Sequence, residues 1–213
     1  MLRKTVAALL LMCLLLSSAC AEVYTLPDGR SVILSVGGSF AYTRDTEGAI
    51  RCWGDNQFGQ LGKGNLKQSF KVSDFKTRNE EIDLSQLKDV VTASDYNFLE
   101  MQDGTLFGTG NNSYLSLAIK EGYYSTHKKL QLPATPAAMA TGFGHVLLLT
   151  EEGTVYAWGR NGNGQIGNGK RKNVQEPYLL PLENIVQIAG GGKFSLALAE
   201  DGTLWGWGDN EHH

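Results

Sequence analysis

The sequence predicts an all-β protein assembled from β-propeller blades, and three observations carry that prediction. A nine-residue segment recurs four times, with leading glycines 56, 49 and 49 residues apart. An acid–glycine pair (Glu47-Gly48, Asp103-Gly104, Glu152-Gly153, Asp201-Gly202) sits at the head of each recurrence, between two short apolar runs. Glycine numbers 26 in 213 residues against 5 prolines. That is about 12% where roughly 7% is usual, the surplus that many tight turns between short strands require. Hydrophobic residues at 42% and charged residues at 19% can support a packed core. A net charge of −3 argues against a nucleic-acid protein with a basic surface throughout, and three cysteines cannot form a multi-bridge framework.

Residues 1–21 read as an export leader rather than as part of the fold. Arg3 and Lys4 precede an apolar run from Thr5 to Leu16 that is too short to span a bilayer of roughly 30 Å. Ala19 and Ala21 form an A-x-A pattern, so cleavage is expected before Glu22. The alternative is a lipoprotein anchored through Cys20, but Ser17 stands where that signal favours leucine and no polar tether follows. Loss of Arg3 and Lys4 with the leader takes the formal charge from −3 to −5 and leaves Cys52 without a disulfide partner.

The region 22–213 then divides into units at approximately 33–88, 89–137, 138–184 and 185–213. Val23 to Leu26 alternates like a strand. The segment Val23 to Val36, with its Pro27-Asp28-Gly29 turn, is a candidate to complete a last blade and join the chain ends. The recurring segments are Gly48 to Asn56, Gly104 to Asn112, Gly153 to Asn161 and Gly202 to Asn210, each with a second glycine six positions on. Asp-Gly between alternating apolar runs predicts hairpins with type I′ turns. A hairpin alone is marginal in water, so neighbouring units are expected to bury each other's faces, as radially stacked four-stranded blades do.

Trp158 to Gly169 (WGRNGNGQIGNG) and Trp53 to Gly64 (WGDNQFGQLGKG) resemble the signature of the regulator-of-chromosome-condensation repeat family. The stretch Gly142 to Gly153, with His145 and an apolar run, resembles the family's approach to that signature. The resemblance extends over nearly all of the chain from Ile33 to Asn210. Departures are specific. Phe40, Tyr96 and Phe194 replace the family histidine, Thr109 replaces the tryptophan, Asn112 to Leu117 replaces the Gly-Gln-Leu-Gly segment, and the fourth unit ends before that segment. The resemblance implies a propeller that closes with about seven blades. This chain, with fewer than four full units, is therefore expected to be a partial propeller, either a piece of a longer reading frame or an oligomer that completes the ring.

No catalytic, cofactor-binding or metal-ligating residue is assigned, and no cofactor is expected. Gly162 to Gly167 satisfies G-x-G-x-x-G but lies within the repeat signature without a helix after it. Gly190 to Gly192 occupies a strand-to-strand turn, and the recurring acids form turns rather than a carboxylate pair. Trp53, Trp158 and Trp207 are expected to pack blades, and His145 to be a satisfied core or turn residue. His127, beside Lys128 and Lys129, is expected in a solvated loop. Lys170-Arg171-Lys172 is expected as solvated surface, and Cys52, His212 and His213 have no companions that would make a metal site.

The longest and most varied segments outside the signatures are Asn65 to Lys88 and Tyr114 to Pro136, and Tyr123, Tyr124 and His127 form a polar–aromatic cluster in the second. These loops are the expected place for partner specificity. The function expected is that of a secreted, non-catalytic repeat protein that binds an extracellular or cell-envelope protein, with no nucleic acid and no membrane span. Nucleotide exchange on a GTPase, which the resemblance would otherwise imply, needs an intracellular partner and conflicts with the leader. The alternative is the N-terminal part of a larger extracellular protein carrying an enzyme or anchoring domain.

Overall fold

The computed structural model describes residues 22–25 and 31–211. The leader cleavage site, Cys20, the Pro27-Asp28-Gly29 turn, His212 and His213 therefore lie outside the described residues. The first sheet holds β1 (Glu22–Thr25), β2 (Ser31–Val36), β3 (Phe40–Arg44), β4 (Ile50–Gly54) and β5 (Ser69–Asp74). The second holds β6 (Leu87–Thr92), β7 (Tyr96–Met101), β8 (Leu106–Asn111) and β9 (Tyr123–Lys129). The third holds β10 (Ala138–Thr141), β11 (His145–Leu149), β12 (Val155–Gly159) and β13 (Val174–Leu179). The fourth holds three strands, β14 (Ile185–Gly190), β15 (Phe194–Ala199) and β16 (Leu204–Gly208). Every sheet is an antiparallel meander in chain order, which makes each one a blade.

Three cores fill the three junctions between consecutive blades. Ile33, Tyr42, Cys52 and Leu61 meet Leu87, Leu99 and Phe107 at the first. Phe98, Leu106 and Leu117 meet Val146, Leu148 and Trp158 at the second. Leu147, Leu149 and Val155 meet Ile185, Ala197 and Ala199 at the third. A blade covered on both sides needs apolar residues on both faces of its strands, which is why β11 reads His-Val-Leu-Leu-Leu and is buried throughout. No core joins the fourth blade to the first among the described residues, and the blades form an open arc. In β15 the residues turned to the third blade are small and buried, Ser195, Ala197 and Ala199, while Leu196 and Leu198 on the other face are only half-buried.

Two expectations are corrected here. The β1–β2 segment does not complete a last blade: β1 pairs with β2 from Glu22↔Leu34 to Thr25↔Ser31, and β2 pairs with β3, so both belong to the first sheet. Ile33 on β2 is fully buried in the first junction, and this commits the segment to the first blade. Nor are the hairpin turns type I′. At Asp103-Gly104 the Gly104 N–H donates to Met101 O (2.9 Å) and the Met101 N–H to Thr105 O (2.9 Å). Only the glycine has positive φ (79°). This is a three-residue loop, a type I turn followed by a left-handed glycine. The acid contributes as an acceptor: Asp103 and Asp201 carboxylates take the Thr105 and Thr203 N–H groups at 2.9 Å.

Candidate protein-binding face

The signature turn follows β4, β8 and β12 in the first three blades and is organised by one buried asparagine. Asn56 Oδ1 accepts the Leu61 N–H (2.8 Å) while its Nδ2 donates to Asn65 O and Lys67 O. Asn112 repeats this with Leu117 N, Ile119 O and Lys120 O, and Asn161 with Ile166 N, Lys170 O and Lys172 O. All three asparagines are fully buried, so their amides satisfy loop backbone that water cannot reach. Asn210, at the same position of the fourth unit, is exposed.

Each turn also receives the next blade. Trp158 Nε1 donates to Ser116 O (2.7 Å) and Trp207 Nε1 to Gln165 O (2.8 Å), the corresponding carbonyls of the preceding turns. Trp158 is fully buried and Trp207 partly so, as blade-packing residues should be. Where Thr109 replaces tryptophan, its hydroxyl lies between Tyr124 O (2.5 Å) and Gly59 O (3.2 Å), and Asn97 Nδ2 takes over the Gln60 carbonyl (2.6 Å). Trp53 begins the arc: it is half-buried and its indole N–H has no acceptor among the described residues.

The histidines belong to these junctions. His145 is buried, with Nε2 3.0 Å from Ser195 Oγ, which itself donates to Gln165 O; the imidazole is therefore the donor between them. His127 is neither in a loop nor solvated, contrary to expectation. It lies in β9, is 1% exposed, donates from Nε2 to Asn97 Oδ1 (3.0 Å) and sits edge-on to Phe75. The segment misread as a loop holds the fourth strand of the second blade, whose polar sequence masks it. Burial holds both rings neutral, lowering the pKa of His127 to about 3 and that of His145 to about 4. Cys52 is likewise buried, its thiol pushed up to about 11 by desolvation, which makes it a poor nucleophile. Among the described residues no group of three or more His, Cys, Asp or Glu could hold a metal ion.

The surface of this edge carries a set of aromatic rings. Phe58 and Tyr114 occupy the same position of the signature turn in the first and second units, where the third has Asn163. Each leans on the following blade. Phe58 packs against Tyr123 at the start of β9, ring centroids 5.1 Å apart. Tyr114 packs near Phe143 in the β10–β11 turn at 6.1 Å. The Arg160 guanidinium lies over both of the latter rings, 4.8 Å from Tyr114 and 5.1 Å from Phe143. Antiparallel pairing places all of these groups at one end of the strands: Asn111↔Tyr123 closes the β8–β9 ladder, and the Arg160 N–H donates to Gly144 O. Tyr123 is 60% exposed and Phe143 45%. Tyr124, by contrast, is tied down through its hydroxyl to Lys120 O (2.7 Å).

The sequence reading reached Tyr123 and missed Phe58 and Arg160, which sit inside repeat signatures, and Tyr114 and Phe143, whose partners lie in the next blade. Superposing the units position by position shows that the third unit makes the same turn with Asn163 in place of a ring. Two surface clefts among the described residues lie elsewhere. One, at the edge of the fourth blade, includes Pro181, Asn184, Asp201 and Trp205; the other, on the first blade, includes Lys63, Asp74 and Arg78.

Comparison with known proteins places this arrangement. The regulator of chromosome condensation (RCC1) repeat matches residues 152–198, and a second form of that repeat matches 137–165 and 185–213. A human probable E3 ubiquitin-protein ligase, HERC6, is 29% identical over 185 residues, which is 83% of this chain and 18% of that protein. The crystal structure of human WBSCR16 superposes with a TM-score of 0.70 and 26% identity over 83% of this chain and 48% of that one. Yeast RCC1 (Prp20), in a structure bound to Kap60, gives a TM-score of 0.71 at 22% identity over 87% and 45%. The chain thus spans less than half the length of each of these proteins.

Proposed function

The chain belongs to the regulator of chromosome condensation repeat family, and from that premise we propose that it is a non-catalytic protein-binding module acting outside the cytoplasm. The observation that carries this reading is the row of rings on the signature-turn edge, Phe58–Tyr123 and Tyr114–Phe143, held on a rigid frame at two successive blade junctions. Rings fixed by a stapled scaffold give contact area at little entropic cost on association. Export rests on the leader read from residues 1–21, with maturation at Glu22 or lipidation at Cys20. Among the described residues no helix is long and apolar enough to cross a membrane.

The test is capture by the immobilised full-length product from the host's extracellular fraction, run beside Tyr123→Ala and Phe143→Ala. Loss of a specific protein in both variants, with unchanged folding, supports the reading; capture indifferent to both refutes this face. N-terminal analysis of the exported product is expected to begin at Glu22. Material that keeps residue 1 would remove the export half of the proposal.

A second reading is favoured by the small share of its relatives' lengths that the chain spans. In it, these repeats are the N-terminal part of a longer extracellular protein whose enzyme or anchoring domain they position.

A further inference from the structure

We propose that the third-blade sector of this face docks an acidic peptide segment of a protein partner. This inference rests on the reading that the signature-turn edge binds protein. Its centre is Arg160, with its guanidinium against two rings rather than a carboxylate. Beside it runs the loop carrying Lys170, Arg171 and Lys172, all exposed. Asn161, the next residue after Arg160, fixes that loop by donating to Lys170 O (2.9 Å) and Lys172 O (3.2 Å), and takes the Asn173 side chain on its own N–H (3.1 Å). One buried amide therefore holds both cationic loops in register.

None of these four cations makes an ion pair among the described residues, whereas Arg51, Lys88 and Lys193 do. Two acids in turns of the neighbouring blades are already engaged. Asp95 accepts from Asn111 Nδ2 (2.7 Å) and Ser94 Oγ (2.9 Å), and Asp209 lies 3.5 Å from Lys193. The sector is thus a positive site with aromatic walls on a chain whose formal charge is −3.

The chemistry that fits is specific. A guanidinium fixed by stacking presents its free N–H edge to a carboxylate in a bidentate pair, and three neighbouring cations extend the field along a chain of acids. Tyr114 and Phe143 supply a place for an apolar or aromatic side chain within that segment. A nucleic acid is disfavoured by the chain's net negative charge of −3; the staple loops of the first and second units also carry cations, Lys67 and Lys120, so an oligonucleotide is one arm of the test.

The test uses the full chain and a fluorescein-labelled dodecapeptide of repeating Glu-Glu-Tyr, read by fluorescence anisotropy. A repeating Lys-Lys-Tyr peptide and a dodecamer of oligothymidylate serve as the other arms. The acidic peptide is expected to bind at least about tenfold more tightly than the lysine peptide, and more weakly as salt rises. Arg160→Glu, and separately the triple change Lys170→Glu, Arg171→Glu, Lys172→Glu, should each weaken it by about tenfold or more. Lys71→Glu, an exposed charge reversal on the first blade, should leave it unchanged.

Equal binding of the two peptides, wild-type affinity in the triple variant, or tighter binding of oligothymidylate through the same residues would each overturn the proposal. The triple variant alters only exposed side chains, so it decides the matter even if Arg160→Glu fails to fold. If the acidic peptide does not bind while partner capture still depends on Tyr123 and Phe143, this inference falls and the protein-binding reading stands.

Discussion

Replacing Trp158 by alanine tests the physical basis of the arc. The side chain is fully buried in the second junction among Phe98, Leu117 and Leu148, and its Nε1–H is the donor to Ser116 O. Truncating a buried aromatic costs about 3–5 kcal/mol, through lost transfer energy and the cavity left behind. Ser116 is itself buried, so its carbonyl would lose a partner that water does not readily replace, which pushes the value toward the upper end of that range. Trp158→Phe separates the two contributions. It retains most of the apolar volume but removes the donor, and should cost about 1–3 kcal/mol. The assay is urea unfolding followed by far-UV circular dichroism, since tryptophan fluorescence changes with the substitution. A fall in midpoint at constant m reports lost stability, whereas a change in m reports blades that no longer unfold together. A shift under about 0.5 kcal/mol for the alanine variant, the range of surface substitutions, would refute the burial and with it the blade assignment.

Three further outcomes follow from the same geometry. Leu115 and Ala118 hold positive φ (67° and 53°) at positions where the other turns have Gly59 and Gly62 or Gly164 and Gly167, so Leu115→Gly should raise stability by about 1 kcal/mol in chemical denaturation. Asn161→Ala removes the acceptor for Ile166 N and the donor to two loop carbonyls, and should destabilise by about 2 kcal/mol or more, with faster hydrogen exchange confined to the 162–173 loop. Finally, His127 and His145 are neutral when folded, with pKa values lowered from 6.5 to about 3 and about 4 by burial. The unfolded chain then binds more protons below its histidine pKa of 6.5, so stability falls as pH drops from there toward about 4 and flattens in respect of each ring below its folded pKa. Denaturant midpoints across that window should fall, and a flat profile would contradict the burial of both rings.

How much of this was legible in the sequence depends on what each residue answers to. The blades were legible because a positive-φ glycine, a turn acid and an asparagine staple recur wherever the same backbone must be made, and the backbone is the same in every unit. The polar outer strands β5, β9 and β13 were not, because they are largely exposed and bulged opposite Trp53, Thr109 or Trp158, which leaves little of the apolar alternation that announces a strand. His127 was misread for that reason: its burial comes from Phe75 and Gly62 of the preceding blade, partners distant in sequence. The turn type was misread because Asp-Gly alone does not count the loop residues, and the hydrogen bonds do.

The departures from the repeat pattern divide into two kinds, and the division argues for where function lies. Thr109, Leu115, Ser116 and Ala118 are replacements that the fold absorbs. Thr109 finds a new carbonyl, Ser116 offers the same backbone oxygen to Trp158, and Leu115 and Ala118 accept a glycine conformation while Asn112 keeps the staple closed. Phe58, Tyr114, Phe143 and Arg160 answer to no such requirement. The third unit makes the same turn with Asn163 where the first two carry rings, and the fourth makes its strand-to-strand turn with Gly192 and Lys193 where the third has Phe143 and Gly144. A ring left partly in water where a small or polar residue would serve the backbone equally well is not explained by packing. That these exceptions gather on one edge, at two adjoining junctions around a cation with no carboxylate partner, is the pattern expected of a surface shaped by what it binds.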